Sequence, residues 1–383
     1  MINAANMPSD ADLACIPSLN GTSDLNTTSS SCMKDIGSEA DYSDYYQMSE
    51  TADMVMKTLP RIVMILIAIT GLTGNSIVLY IIVKHRDMRT VTNYFVANLA
   101  ITDITFLVLC VIPTVIAIGG IHWPLGGFMC RINSYFQYAS VQATCLTLTA
   151  MTIDRYYLIV HAVKSRNTRT TFRAIVINVS IWAVSFLLHL PVVIYTKVHV
   201  VNNYTACYPQ FPWERAKDYY PVFASFELYV VPVIIIMACY IQILLQVWQK
   251  TSGGTESAQA HARALRRKKK ITRMVFIVVV LFAFCWAPIH TFNIMTASGA
   301  KVIMANYGIA QWWKIFFLTL AYANSCINPF VYAFTTTSFK KYFKSVFGAA
   351  CGQYSREGHA MSISMETKTE RITTNSTKED SSL

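Results

Sequence analysis

Apolar runs of about 20 residues or more recur along this chain, at roughly 61–84, 93–118, 128–160, 174–196, 219–248, 272–297 and 308–334. Wound as an α-helix, a run of that length matches the hydrocarbon thickness of a bilayer. The pattern predicts seven membrane-spanning helices. The third and fifth runs exceed the minimum, which predicts tilt or extension beyond the membrane. Pro113, Pro191, Pro232, Pro288 and Pro329 fall inside the runs. Soluble helices seldom tolerate proline there, whereas packed membrane helices find new partners for the freed backbone groups. A soluble multi-helix core is the rival reading, but so many runs in series would not stay in water.

Composition agrees with a membrane protein: 54% of residues are hydrophobic and 14% charged, with a mean hydropathy of +0.37. The net charge of +11 is carried mainly by loops. Lys84, Arg86 and Arg89 follow the first run, and Lys164, Arg166, Arg169 and Arg173 follow the third. Arg263 to Arg273 precede the sixth, and Lys340, Lys341 and Lys344 follow the seventh. All fall on one side, which the positive-inside rule makes cytoplasmic. Division of these residues among loops that face anionic lipid argues against a nucleic-acid partner.

The N-terminal tail has the opposite sign, with Asp35, Glu39, Asp41, Asp44, Glu50 and Asp53. Its start lacks a basic region followed by an apolar core, so no cleavable signal peptide is expected and the first run serves as the anchor. The sequons at Asn20, Asn26 and Asn203 then lie outside, available for glycosylation, and the one at Asn375 lies in the cytosol. Of the ten cysteines, Cys110, Cys145, Cys239, Cys285 and Cys326 sit within runs and read as small packing residues. Cys15 and Cys32 are outside, where they are free to pair with each other. Two other classes have little support. A secondary transporter usually shows an internal repeat, and none is visible. No Ser-His, paired Asp or His-Glu-x-x-His arrangement marks an intramembrane enzyme.

Polar residues inside the runs carry the chemistry. Asp103 follows Asn98-Leu99-Ala100 in the second run, and a carboxylate at that depth needs partners or a cation. Asp154-Arg155-Tyr156 closes the third run. Asn75, Phe282 to Pro288 with Trp286 at its centre, and Asn328-Pro329 with Tyr332 stand at matching depths. Together, from Arg61 to about Cys351, these residues resemble the rhodopsin-like G-protein-coupled receptors, an all-α fold with a seven-transmembrane-helix bundle and a short amphipathic eighth helix.

That resemblance implies a division into an extracellular acidic tail (1–60), the bundle (61–335), the amphipathic helix (336–350) and a disordered cytoplasmic tail (351–383), in a multi-pass plasma-membrane protein. It implies a disulfide between Cys130 and Cys207 pinning the second outer loop. It implies an allosteric sodium ion held by Asp103, Thr144, Asn324 and Ser325 beneath Trp286, with Asn75 and Asn328 completing the network. A protonated, purely structural Asp103 is the alternative. It implies that Arg155 pairs with Asp154 at rest and turns to the G protein on activation, approached by Tyr240 and Tyr332, while Phe282, Trp286 and Pro288 couple ligand contact to a bend. Many relatives also tether this arginine to an acid on helix six, where this chain has Lys268, with Thr272 one turn on. Contacts to the G protein are expected from Arg155, 160–166 and 269–273. Cys351 reads either as a palmitoylated cysteine or as a free thiol.

Seventeen residues before Asp154 stands Gln137, where aminergic receptors have an aspartate, and six before Asn328 stands Tyr322, where opsins have a lysine. Neither an amine nor retinal is therefore expected. The family's ligand positions map to Gln137, Tyr138, Val141, His290, Asn293, Lys314, Leu318 and Tyr322. Glu227 is a further acid for a ligand cation or for His290. The acidic tail, with Tyr42, Tyr45 and Tyr46, would steer a basic peptide. The stretches Met88 to Asn93, Asn98 to Leu107, and Val141 to Met151 resemble kisspeptin receptors most, in the galanin and allatostatin-A receptor neighbourhood. The resemblance implies an amidated neuropeptide and Gq/11, phospholipase C and calcium signalling. A galanin- or allatostatin-A-type ligand with Gi/o is the alternative. Ser and Thr from Ser362 to Thr377 are candidates for receptor kinases and arrestin, and Ser381-Ser382-Leu383 for a PDZ domain.

Overall fold

Pro113, Pro232, Pro288 and Pro329 stand inside helices and mark where they deform, whereas Pro191 follows a break at His189, between Thr171–Leu188 and Leu190–Tyr195. In the computed structural model, which describes residues 39–118, 122–201, 204–213, 215–249, 256–299 and 307–350, the bundle is built from α1 (Glu39–Lys84), α2 (Val91–Ala117), α3 (Gly126–Ile159), α4 (Thr171–Tyr195), α5 (216–249), α6 (Glu256–Ala297) and α7 (Tyr307–Thr335), followed by α8 (Thr337–Ala350). A two-turn helix, Ala162–Thr168, joins α3 to α4. A hairpin of β1 (Thr196–Val201) and β2 (Tyr204–Pro209) joins α4 to α5, antiparallel, with Val198 opposite Cys207.

Proline removes an N–H, so the carbonyl four residues earlier loses its helical partner. Pro113 frees Leu109, and Asn133 of α3 donates Nδ2 to that carbonyl at 3.1 Å. Pro232 frees Leu228, which accepts from the thiol of Cys145. Pro329 frees Ser325, which accepts from Asn75 Nδ2 at 2.8 Å. Near Pro288, Tyr229 Oη donates to the Ala283 carbonyl at 2.9 Å. Ahead of Pro113 and Pro232 the backbone also widens into π turns, Leu107–Val111 and Phe226–Val230, each ending two residues before its proline.

Six helices among the described residues are long and apolar enough to cross a membrane. The third run is the exception, and its helix α3 is the one most surrounded by others. Asn133, Ser134, Ser140, Gln142, Thr144, Thr147, Thr149 and Thr152 of α3 are all buried. Lipid-facing helices show the reverse. Only 22% of the α4 span is buried, and Val179, Val184 and Leu187 lie exposed on it. α2, α3 and α4 are joined by Asn98, which donates to Thr147 Oγ1 at 2.7 Å and accepts from Trp182 Nε1 at 3.0 Å. α1 begins at Glu39, well ahead of the first apolar run at 61; hydropathy alone does not see this polar, acidic extension.

Candidate functional site

At the hairpin end, Cys130 of α3 and Cys207 of β2 are disulfide-bonded with Cα atoms 5.6 Å apart, closing 77 residues. Trp123 docks beside them, its backbone N–H 2.9 Å from the Thr205 carbonyl. Its indole N–H donates to the Gly126 carbonyl at 2.8 Å, and Gly126 takes a φ of +69°, a conformation that favours glycine.

Beneath the hairpin the expected ligand positions fall into two aromatic groups. Tyr138 packs its ring against His189 (5.6 Å between centroids) and Tyr220 (5.5 Å). His290 stacks on Tyr229 at 5.1 Å, lies 5.9 Å from Trp286, and shares a hydrogen bond with Ser225 at 3.2 Å. Trp286 continues to Phe282 at 6.0 Å and to Phe106 at 6.0 Å, and Phe106 meets Tyr322 edge-on at 5.3 Å. Tyr322 is buried, its hydroxyl 3.3 Å from that of Thr114. Val141 is buried, and Gln137, Asn293, Lys314 and Leu318 are partly buried on α3, α6 and α7. Glu227 lies in the π turn of α5 with His189 Nε2 3.6 Å from its carboxylate. Its basic neighbour is therefore His189, not His290, which is engaged with Ser225. The extra residue of a π turn shifts the helical face, so simple 3.6-residue counting could not have found His189.

Midway down, Asp103 accepts from Asn328 Nδ2 at 2.8 Å. Thr144 donates to Thr102 at 3.2 Å. Asn75, Asn324, Ser325 and Asn328 are all buried here, and Asn75 reaches the Ser325 carbonyl already described. Asn324 Oδ1 is buried without a hydrogen-bond partner, as is Ser140 Oγ. Oxygen donors from neutral side chains around one carboxylate suit a hard, weakly charged cation. The residues therefore fit a sodium ion. Among the described residues no three His, Cys, Asp or Glu side chains gather to hold a metal.

At the other end, Arg155 is 1% exposed and bonds through Nη2 to Asp154 and to Thr92 Oγ1. Asp154 has a second arginine: Arg169 Nη2 donates to Oδ2 at 3.0 Å and to Thr92 at 2.9 Å, and its Nε to Oδ1 at 2.5 Å. In the sequence Arg169 is one of several loop charges and Thr92 an ordinary helix residue; a lone Thr or a loop Arg carries no signal. Tyr156 shares a hydrogen bond with His161 at 3.1 Å. Tyr240 is buried against Phe276, and Tyr332 is buried against Phe339 of α8. Thr272 is buried on α6, and Val163 of the joining helix is 89% exposed. On α8, Tyr342 stacks on His85 at 3.8 Å and donates to Asp87 at 2.7 Å. The hydrogen bond to Asp87, and more weakly burial, raise its phenol above the usual value. Asn20, Asn26, Asn203, Cys15, Cys32 and Cys351, and the side chains of Tyr42, Tyr45, Tyr46 and Lys268, lie outside the described residues.

Residues 74–332 match the model of the 7 transmembrane receptor (rhodopsin family). The chain is 37% identical over 291 residues to G-protein coupled receptor 54 of Oreochromis niloticus, covering 74% of this chain and 76% of that one. It is 36% identical to the KiSS-1 receptor of Rattus norvegicus, covering 76% and 74%. It is 33% identical to the allatostatin-A receptor of Bombyx mori, covering 78% and 82%.

Proposed function

Because this chain belongs to the rhodopsin family of seven-transmembrane receptors, and so is a multi-pass membrane receptor and not an enzyme, we propose that its ligand is an amidated neuropeptide of the kisspeptin type and that it acts through Gq/11, phospholipase C and calcium. The likeness to receptors named for KiSS-1, sustained across the bundle, carries the ligand class. In this reading the acidic tail (1–60) faces outward and is glycosylated at Asn20 and Asn26, with Asn203 glycosylated in the second outer loop. The tail 351–383 is cytoplasmic, palmitoylated at Cys351, and phosphorylated by receptor kinases to give the charge that captures arrestin.

The peptide enters between the hairpin and the outer helix ends, onto Gln137, Tyr138, Val141, Glu227, His290, Asn293, Lys314, Leu318 and Tyr322. His290 and Tyr322 are each linked to Trp286 through ring contacts, the latter by way of Phe106. That chain supplies a packed route from ligand to the bend at Pro288. Asp103, Thr144, Asn324 and Ser325 would hold a sodium ion in the resting state, and the ion would supply the charge that neutralises Asp103. Asn328 donates to the same carboxylate, so α7 and the acid move together. At the far end, release of Arg155 from Asp154 lets it face an amphipathic helix of the G protein, joined by Tyr240 and Tyr332.

The test is intracellular calcium, with cAMP in parallel, in cells displaying the full chain and given amidated kisspeptin-type, galanin-type and allatostatin-A-type peptides. A calcium rise confined to the kisspeptin-type peptides and lost in Arg155→Ala supports the reading. The likeness to the allatostatin-A receptor favours one rival. A fall in cAMP with an allatostatin-A- or galanin-type peptide, and no calcium response, replaces the ligand and moves the coupling to Gi/o.

A further inference from the structure

Asp154 is held better by Arg169 than by its sequence neighbour. Arg155 reaches the carboxylate through one nitrogen, and its Nε is buried without a partner. Arg169 uses Nε on one oxygen and Nη2 on the other, the two-pronged geometry that gives arginine–carboxylate pairs their strength. Arg169 is also fixed in place from both sides. It caps the helix Ala162–Thr168, its N–H bonding to the Ser165 carbonyl at 3.1 Å. The next residue, Thr170, caps α4 by accepting from Arg173 N at 3.2 Å.

Asp154 is only 9% exposed. Taking away a partner from a buried charge costs far more than the pair itself is worth, because the remaining charge is stranded out of water. Were Arg155 the sole partner, its departure would strand Asp154 in this way.

We propose that Arg169 is the standing counter-ion of Asp154: it keeps the carboxylate paired after Arg155 has left, and so makes the signalling state accessible. Thr92 Oγ1, shared by both guanidinium groups, holds them side by side and is relinquished by Arg155 alone. Arg169 is thus a positioning residue that favours activation, unlike a clasp that holds the receptor at rest. The inference rests on the reading above, in which freeing Arg155 accompanies signalling.

The experiment compares Arg169→Gln, Arg169→Lys, Asp154→Asn, the Asp154→Asn/Arg169→Gln pair and Arg155→Ala in the full chain at matched surface expression. Each is fused to Gα subunits, so that nucleotide exchange is read without ligand as well as with the amidated kisspeptin-type peptide. Arg169→Gln should lower ligand-free exchange and raise the half-maximal peptide concentration, by about tenfold for a directly contacting charged pair. Arg169→Lys should recover most of the loss. In the Asp154→Asn background there is no charge to strand, so Arg169→Gln should change either readout by less than about twofold. Raised ligand-free exchange in Arg169→Gln would show a resting clasp instead. An equal loss with and without Asp154 would show a merely structural loop residue; either result overturns the proposal. Full signalling by Arg155→Ala would sink the switch reading itself, a separate and distinguishable failure.

Discussion

Asn75 on α1 donates its side-chain amide to the backbone carbonyl of Ser325 on α7, at 2.8 Å and across 250 positions of sequence. The carbonyl is free because Pro329 supplies no N–H, and the amide is fully buried. Asn75→Ala should strand that carbonyl and lower stability by about 1–3 kcal/mol. The check is the thermal midpoint of the purified receptor; an unchanged midpoint would mean that water replaces the amide.

The same contact between α1 and α7 depends on small residues. A Cβ at Gly74 would lie 2.9 Å from Pro329 Cγ, a ring atom that cannot rotate away. A Cβ at Gly71 would meet Leu107 Cδ1 at 2.6 Å, the far end of a flexible side chain. Gly74→Ala should therefore cost more than Gly71→Ala, about 1–3 kcal/mol for forced overpacking. Surface expression and thermal midpoint of the two variants, measured together, decide the order.

Sodium should act through Asp103. Peptide affinity is expected to fall as sodium replaces an inert cation at constant ionic strength. In Asp103→Asn that dependence should vanish, because the neutral amide no longer offers the charge the ion requires. Persistent sodium sensitivity in the variant would place the ion elsewhere.

Glu227 and His189 should couple. Each single alanine variant leaves a buried polar partner, so the pair replaced together should lose less than the sum of the two. A coupling of about 0.5–3 kcal/mol is expected for groups in contact. Additive losses in a thermal double-mutant cycle would show that the 3.6 Å approach carries no energy.

α8 should loosen when its anchor is cut. Tyr342→Phe removes only the bond to Asp87, whereas Tyr342→Ala also removes the stack on His85. Hydrogen exchange across 337–350 should quicken slightly in the first and clearly in the second. Exchange unchanged in both would assign the docking of α8 to its apolar face, where Phe339 is fully buried and Phe343 and Val346 pack on the core.

Much of this architecture is legible in the chain because the bilayer imposes a length and an apolar character on each span. The Asp154-Arg155 pair, Asp103, Trp286 and the buried Asn328 stand out as polar or bulky residues at unusual depth. α3 is legible only as a run; its polar residues face other helices, not lipid, and dilute its hydropathy. Thr92, Asn133, His189 and Arg169 stay hidden, since each is common in type and gains its partner only by tertiary contact. Pro113 and Pro232 announce a disturbance, but a proline does not say whether its helix kinks or widens. The start of α1 at Glu39 escapes a hydropathy criterion because those residues form a helix without being apolar.

The π turn at Phe226–Val230 makes α5 sensitive to counting. Each residue of a regular α-helix advances it by about 100°, and the widened turn absorbs one such advance. Were the turn to tighten into regular α-helix with every residue kept and the inner half unmoved, that absorbed advance would be released. The outer half, with Tyr220 and Ser225, would then turn away from Tyr138 and His290. Tightening or widening of this one turn would thus re-dial which side chains of α5 face Tyr138 and His290 while leaving the Arg155 end intact, a means of changing what is recognised without changing what is transmitted.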